Sequence, residues 1–373
     1  MLHFSRWKTV SIWFVVLLGV LFAAPNVIPE HVRNQLPGWL PSQPMTLGLD
    51  LRGGSHLLLE VDRESFIHDR IEILRDEVRT KLRDARIGYT GLSGAGTAVQ
   101  VRIRDNADID KAREALSDLT RPVATGIFGS GSVTEVAFSE PEPGLLRYTL
   151  TDDGIRYGLN SAARQSIEVV SRRVNELGTT EPIIQQQGSD RILVQVPGLD
   201  DPQRLKDILG QTAKLTFQMV DTSVPVEEAL QGRPPAGSTV MHSNDDPPVP
   251  YLIENRVIVS GESLTNAQAT QDQRTGEWVV AFTFNSKGAL AFGNATRQNV
   301  GRPFAIILDD KVISAPVIRE PILGGSGQIS GSFTPQSAND LAVLLRAGAL
   351  PADLKIVEER TVGPSLGADS IEA

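Results

Sequence analysis

The chain has 373 residues, and 36 Lys and Arg against 45 Asp and Glu give it a formal net charge of −9 at pH 7. Because no basic cluster is available to follow a phosphate backbone, the composition argues against a nucleic-acid partner. The absence of cysteine excludes disulfides, Cys-ligated zinc and thiol catalysis. A chain of this length is expected to form two or three domains.

The first predicted element is an uncharged apolar run, VSIWFVVLLGVLFAA, at residues 10–24. With its neighbours it approaches the roughly 20 apolar residues that a membrane-spanning helix needs. Arg6 and Lys8 lie just before it, which predicts a cytoplasmic N-terminus with the rest of the chain across the membrane. A cleaved signal peptide is the alternative, but a cut after the run would leave proline as the first residue. We therefore predict a cytoplasmic N-terminus and transmembrane helix at residues 1–28 and an extended spacer at residues 29–46.

A strand pattern follows at residues 47–62, LGLDLRGGSHLLLEVD, and it is interrupted by Gly53 and Gly54. Paired glycines inside a strand indicate a bulge or a close approach of another backbone. Asp50 and Arg52 lie two residues apart, so their side chains project from one face of the strand. They could fix the geometry of the base or dock a partner, or form an ordinary solvated pair. We predict a structural role, because the glycines indicate a backbone constraint more than a binding site.

A lobe of alternating helices and strands is predicted next. A charged helix with apolar residues at helical spacing covers residues 63–86. An alternating strand covers residues 98–104, and a second helix covers residues 108–119. With a hairpin around residues 141–144, these elements form a predicted insertion at residues 63–150.

After the lobe, the unit that begins with the first strand continues with a long helix. This helix ends at Gly178, a favourable C-terminal cap. The predicted elements are a helix at 152–177, strands at 183–187 and 191–196, a helix at 202–209 and a strand at 215–220. Counted from residue 47, the order strand–helix–strand–strand–helix–strand is that of a ferredoxin-like, split βαβ unit. We therefore predict a base at residues 47–220 that is interrupted by the lobe. Near the end of the long helix, Arg173, Asn175 and Glu181 are predicted to make polar contacts.

A second α+β unit is predicted from residue 221 onwards. Residues 221–250 are rich in proline and lack periodicity, which predicts a mobile loop. The later elements are a strand at 278–284, a helix at 287–299, a strand at 303–308, a turn at Asp309-Asp310 and a helix at 335–346. We predict an inserted head at residues 221–350 and, at residues 351–373, a return strand to the base followed by a flexible Gly/Pro connection between the domain and the membrane. A head connected by two strands suits tilting on a base.

The apolar residues of the head have two interpretations. Phe282, Phe284, Leu290 and Phe292 are predicted to form the core of the head, and exposure of part of this set to a substrate is the alternative.

The sequence offers no catalytic constellation, and we predict neither enzymatic activity nor a cofactor or metal. Ser365 lies in a G-x-S-x-G pattern, but no histidine follows it to complete a hydrolase triad. The histidines beyond the apolar run, His56, His68 and His242, lack metal-ligand spacing. The aspartate pair at residues 309–310 is explained by a hairpin turn.

The strand with the glycine pair closely resembles the LDLRGG signature of the SecD family, the membrane-anchored auxiliary subunits of the bacterial protein-export channel. Further motifs follow in the family's order: RVNELG at 173–178, EPIIQQQG at 181–188, RILVQVPG at 191–198, TRQNVG at 296–301, APVI at 315–318, LRAGALP at 345–351 and VGPSLG at 362–367. The resemblance assigns structural or partner-facing roles to Asp50, Arg52, Gly53, Gly54, Arg173, Asn175, Gly178, Glu181, Gln187, Gly188 and Arg191. It assigns the connection between the return strand and a second membrane helix to Gly363, Pro364 and Gly367.

The resemblance implies a cellular location and partner proteins. Members of the family lie in the cell inner membrane with most of the chain in the periplasm, and they work with SecF beside the SecYEG channel. They bind unfolded exported polypeptide and promote its forward movement with the proton-motive force. Family members continue after the GPSLG motif into membrane helices that carry the acidic residue implicated in proton coupling. The chain is therefore expected to be the binding and moving part of a longer subunit.

Two other classes of protein stay open at this point. A single-anchor periplasmic adaptor of an RND-type efflux system is one alternative, although it would be expected to show long coiled-coil heptads or lipoyl-like repeats. A cell-envelope hydrolase is the other alternative, and it rests on Ser365 alone.

Overall fold

The computed structural model describes residues 6–23, 53–125, 131–179, 182–199, 201–232 and 234–362, which adopt an α+β fold. The helices are α1 (Arg6–Ala23), α2 (Arg63–Asp84), α3 (Ile109–Leu116), α4 (Asp152–Glu176), α5 (Pro202–Gly210), α6 (Val226–Gln231), α7 (Ser286–Gln298) and α8 (Pro335–Ala347). The strands are β1 (Gly54–Val61), β2 (Tyr89–Ala95), β3 (Ala98–Ile103), β4 (Val123–Thr125), β5 (Gly131–Val133), β6 (Val136–Glu142), β7 (Leu145–Leu150), β8 (Ile183–Gln187), β9 (Arg191–Pro197), β10 (Leu215–Val220), β11 (Ser238–Ser243), β12 (Pro250–Ser260), β13 (Leu264–Gln271), β14 (Trp278–Phe284), β15 (Phe304–Leu308), β16 (Lys311–Ser314), β17 (Ser326–Phe333) and β18 (Leu354–Val362).

Helix α1 extends over 18 residues and includes most of the apolar run. In the described part of the chain, no helix combines the length and the apolar character needed to cross a membrane. The membrane span therefore stays a prediction, and the predicted spacer at residues 29–46 lies outside the described residues.

The base is a four-stranded antiparallel sheet in the order β18-β1-β9-β8. Helix α4 packs against β1, β8 and β9, and helix α5 packs against β18. The prediction that residues 215–220 form the last strand of this unit is wrong, because β10 pairs with β12 and β15 in the head. Strand β18 takes that place after the whole head has been inserted. Strand β10 is buried on both faces, and its short alternation of apolar residues with Thr216 and Gln218 predicts a strand without specifying its partner strands.

The lobe at residues 63–150 packs onto the base without a core of its own. Its sheet has the order β2-β3-β7-β6. Helix α2 buries Ile71, Leu74, Val78 and Leu82 at the helical spacing that the sequence predicts. These side chains belong to the same apolar cluster as those of β1, β9 and α4. Base and lobe therefore share one continuous core.

The head combines a closed barrel, β10-β12-β11-β16-β15, with a three-stranded sheet, β13-β14-β17. Helix α7 packs against β12 and β14, and α8 packs against β13, β14 and β17. The centre of its core is a group of phenylalanine rings whose neighbouring centroids lie 5.1–5.8 Å apart. The rings belong to Phe217, Phe282, Phe284, Phe292 and Phe304. The core of the head is separate from that of the base.

Two predictions about the head are wrong. Leu290 is 70% exposed and does not join the core, because it lies two positions from the buried Phe292, roughly 200° around the helix. The predicted mobile loop at residues 221–250 contains α6 and β11. Strand β11 pairs with β12 and, in parallel, with β16, so it closes the barrel. The prolines at residues 234–235 and 247–248 flank β11 without interrupting it.

Candidate functional site

Two short segments connect the head to the base, and we call them the joint. They are residues 211–214, between α5 and β10, and residues 348–353, between α8 and β18. They lie side by side, since the amide of Leu350 donates to the carbonyl of Thr212 at 2.8 Å. Any movement of the head relative to the base must pass through the joint, which makes it the candidate functional site.

Arg173 of α4 binds both segments of the joint. Its side chain is fully buried. Nη1 donates to the carbonyls of Ile208 at 2.7 Å and Gln211 at 2.5 Å. Nη2 donates to the carbonyls of Thr212 and Gly348, both at 3.1 Å. A guanidinium suits this position, because its donors lie in one plane and several can be used at once.

The charge of Arg173 is balanced mainly by carbonyl dipoles. Ile208 lies in the last turn of α5, and Gly348 caps α8, so the cation is placed at the negative ends of two helices. Burial lowers the pKa of Arg173 to about 10, and the attraction of Asp309 opposes this change. The side chain therefore stays cationic at neutral pH. Its Nε is buried without a hydrogen-bond partner.

Asp309 fixes the first segment of the joint from the side of the head. Its carboxylate accepts from Thr212 Oγ1 at 2.8 Å and from the amides of Ala213 at 3.0 Å and Lys214 at 2.8 Å. The backbone at Ala213 has a φ of 59°, an uncommon value for a residue with a side chain. Asp309 and Asp310 form the turn between β15 and β16 that the sequence predicts. The hydrogen bonds from the joint to Asp309 are an additional role of this residue, and no sequence signal indicates them.

Two ion pairs connect α8 of the head to the helices of the base. Arg204 of α5 contacts Asp340 with Nη2–Oδ1 at 2.7 Å. Arg346 contacts Glu176 of α4 with Nη2–Oε2 at 2.6 Å, and its Nη1 donates to the carbonyl of Ala267 at 2.6 Å. The hydrogen bond from Arg346 holds the pKa of Glu176 below its usual value. Partly exposed ion pairs of this kind contribute at most about 1 kcal/mol each to stability. Their main effect is therefore to favour one angle between head and base.

The apolar part of the joint is small. Ile208, Ala213 and Leu344 form a buried cluster, against which Leu177 and Leu308 pack. A contact of this size between two larger cores fits an interface that can rearrange.

The glycine pair lies away from the joint, where the start of β1 meets the end of β9. Gly53 has a φ of 71° and Gly54 a φ of 138°. The carbonyl of Gly53 accepts from the amide of Gly198 at 3.0 Å. A Cβ on Gly54 would lie 2.3 Å from the carbonyl oxygen of Val196 and 2.9 Å from Cα of Pro197. The glycines therefore permit a backbone contact that no other residue type allows.

The other predicted residues are spread over the base. The carbonyl of Asn175 accepts from the amide of Gly178, which has a φ of 75° at the end of α4. Gln187 and Arg191 face each other across the β8–β9 hairpin, whose turn contains Gly188 at a φ of 73°. Arg191 Nε donates to Glu60 Oε2 at 2.7 Å. Among the predicted residues that the structure describes, Arg173 is the one that contacts the joint.

Six of the predicted positions lie outside the described residues: Asp50, Arg52, Glu181, Gly363, Pro364 and Gly367. Sequence reasoning missed Asp309 as a contact of the joint and the Arg204–Asp340 pair as a contact between head and base. Arg346 and Gly348 had one indirect signal, because both lie in the LRAGALP motif at residues 345–351. Among the described side chains, no group of three or more His, Asp or Glu could hold a metal ion.

Three known family models match parts of the chain. The family described as SecDF, P1 head subdomain, matches residues 238–352. The N-terminal part of the P1 domain of protein translocase subunit SecDF matches residues 163–222. The SecD/SecF GG motif matches residues 38–64, which include the glycine pair.

Whole-chain relatives agree with the family matches. Protein translocase subunit SecD of Acetobacter pasteurianus is 44% identical over 374 residues, which cover 100% of this chain and 68% of the relative. Its counterpart from Rickettsia bellii is 42% identical over the same lengths. The crystal structure of SecDF in a super-membrane-facing form matches with a TM-score of 0.50 and 26% identity, covering 99% of this chain and 37% of that one.

The chain thus spans about two-thirds of the length of its curated relatives. The order of the motifs, the two matched P1 regions and the identity along the entire chain all agree. The resemblance to the family is confirmed, and the chain belongs to the SecD family of protein translocase subunits.

Proposed function

We propose that the chain is a tethered two-body part of the Sec protein-export machinery, in which the head holds the exported polypeptide and tilts on the base. The observation that carries this proposal is the division into two apolar cores connected by a joint of two short segments. Two rigid bodies connected in this way move as a hinge. The strand order of the base supports a ferredoxin-like unit on which the head is mounted.

The tether is α1, which we propose to be an anchor in the inner membrane. Its side chains at Trp13, Phe14 and Leu17 are largely exposed, as expected for a helix that contacts lipid. Arg6 and Lys8 lie on its N-terminal side, which supports a cytoplasmic N-terminus and, in our proposal, a periplasmic base and head.

The head has an apolar surface suited to an unfolded chain. Leu290 and Val300 lie on α7 or just beyond it, and Leu323 and Val317 lie on the segment at residues 315–325. All four are at least half exposed. That segment is held against α7, since the amide of Ile322 donates to Thr296 Oγ1 at 3.0 Å. Exposed apolar side chains grouped along one helix and its neighbouring loop are typical of a binding surface. We propose that this apolar surface contacts the apolar side chains of exported polypeptide.

Energy and partners come from outside this chain in our proposal. The family resemblance supports SecF and the SecYEG channel as partners and the proton-motive force as the energy source. The role of this chain is then to bind and to move a polypeptide, without covalent catalysis. An esterase assay of the Ser365→Ala variant tests the hydrolase alternative, because loss of a measurable activity would contradict this role.

Photo-crosslinking tests the polypeptide contact. A photoreactive residue at position 290 or 323 is expected to label a stalled export substrate several-fold more strongly than one at position 230 or 357. Leu230 lies on α6 of the head and Val357 on β18 of the base, and both are 51% exposed, so they are matched apolar controls. Equal labelling at all four positions would contradict the proposed surface.

A further inference from the structure

An acidic cleft of about 720 Å³ separates α2 of the lobe from the head, beside the joint. Its carboxylates come from three places. Asp69, Glu72 and Asp76 lie on α2, Asp353 lies on the joint, and Glu262, Asp309 and Asp310 lie on the head. Lys214 of the joint is the basic residue among the side chains that line the cleft.

Some of these charges are compensated locally. Arg75 pairs with Glu72, and Arg79 pairs with Asp76 at 2.9 Å. Asp309 is occupied by the donors of the joint. Within the described residues, Asp69, Glu262, Asp310 and Asp353 have no ion-pair partner within 4.0 Å. The uncompensated charge therefore faces the cleft from α2, from the joint and from the head.

The two walls of the cleft belong to the two bodies that the joint connects. Asp69 lies on the lobe, which shares the core of the base, whereas Glu262 and Asp310 lie on the head. A tilt of the head that narrows the cleft brings these carboxylates together. Like charges repel, and the repulsion rises as the walls approach and water is displaced between them. An ionised cleft therefore opposes closure.

Asp69 takes up a proton at a higher pH than an ordinary aspartate does. Asp69 is exposed at the edge of the cleft, but partial desolvation raises its pKa, Asp353 and Asp310 raise it further, and Lys214 and His68 oppose the change. Acidification thus removes charge from this wall before an ordinary aspartate would be protonated.

We propose that the acidic cleft is an electrostatic spacer, which holds the head away from α2 while its carboxylates are ionised and lets the head close when they are neutralised. The spacer would make the tilt of the head sensitive to pH, and this inference rests on the proposed tilt.

A distance measurement tests the spacer. The chain has no cysteine, so Thr80→Cys on α2 and Ser286→Cys at the start of α7 allow two spin labels in the whole chain in lipid nanodiscs. We expect the main distance to be longer at about pH 8 than at about pH 4.5, because a carboxyl group with a raised pKa, such as that of Asp69, takes up a proton before carboxylates with ordinary pKa values of about 4 do. The Asp69→Asn, Asp310→Asn variant is expected to show the shorter distance at both pH values.

The matched control is the Glu227→Gln, Glu228→Gln variant, which removes the same formal charge from α6 of the head. It is expected to behave as the unsubstituted chain. Equal distances at both pH values in the unsubstituted chain would overturn the spacer, and so would a control variant that shows the shorter distance at both pH values, as the Asp69→Asn, Asp310→Asn variant is expected to. The measurement needs no export substrate, so a failure of the polypeptide contact leaves it intact. One narrow distance under all conditions would contradict both the spacer and the tilt.

Discussion

Replacing Arg173 with methionine is expected to lower the free energy of unfolding by about 3 kcal/mol or more. The methionine keeps most of the apolar volume but leaves four carbonyls, those of Ile208, Gln211, Thr212 and Gly348, without their donor. A buried acceptor that loses its partner costs about 1–3 kcal/mol, and some of the cost is recovered when water enters. Denaturant unfolding of the purified chain, followed by far-UV circular dichroism, which reports on both head and base, measures this loss.

The number of unfolding transitions tests the role of Arg173 more directly than the size of the stability loss does. Because Arg173 binds both segments of the joint, its loss is expected to uncouple the head from the base and to split one transition into two. The adjacent Arg172 is a matched control, since it pairs with Glu168 on the surface of α4. Arg172→Met is expected to change the free energy by about 0.5 kcal/mol or less. Similar losses for the two arginines would contradict the role given to Arg173.

Replacing Gly54 with alanine is expected to destabilise the base by about 3 kcal/mol or more, because the new Cβ meets backbone atoms that cannot rotate away. The clash involves Val196 and Pro197 at the end of β9, so the edge between β1 and β9 must open or shift. Thermal unfolding and hydrogen exchange of the β9 amides measure the effect.

A substitution at Gly188 is the control that distinguishes the effect of this clash from the effect of backbone strain alone. Its φ of 73° is also left-handed, yet a Cβ there would have nothing within 4 Å. Gly188→Ala is therefore expected to cost only about 1–2 kcal/mol, the usual strain of that conformation. An equal cost at both glycines would show that the close approach of β1 and β9 contributes nothing.

Local signals predicted much of the fold. The boundaries of α8 follow from Thr334 as a cap and Pro335 in the first turn at one end, and from Gly348 as a cap at the other end. The glycine pair likewise predicted a close backbone approach, because a left-handed φ and a missing Cβ are properties of the residue itself.

Contacts between distant parts of the chain could not be predicted in this way. Arg173 was expected to make a local contact at the end of its helix, but it binds carbonyls 35 to 175 positions away. The apolar pattern of β10 fits the base and the barrel equally well. Leu290 has the hydrophobicity of a core residue, and only the packing of α7 against the head shows which face is buried.

Locking the joint tests the central claim, that the head must move on the base, most directly. In the Glu176→Cys, Arg346→Cys variant, a short bismaleimide can bridge α4 and α8 at a contact of 2.6 Å. The control is Glu168→Cys, Arg172→Cys, which bridges two positions of α4 alone. We expect both variants to support export in cells before bridging, and only the first to lose it after bridging. Normal export through the locked joint would contradict the account.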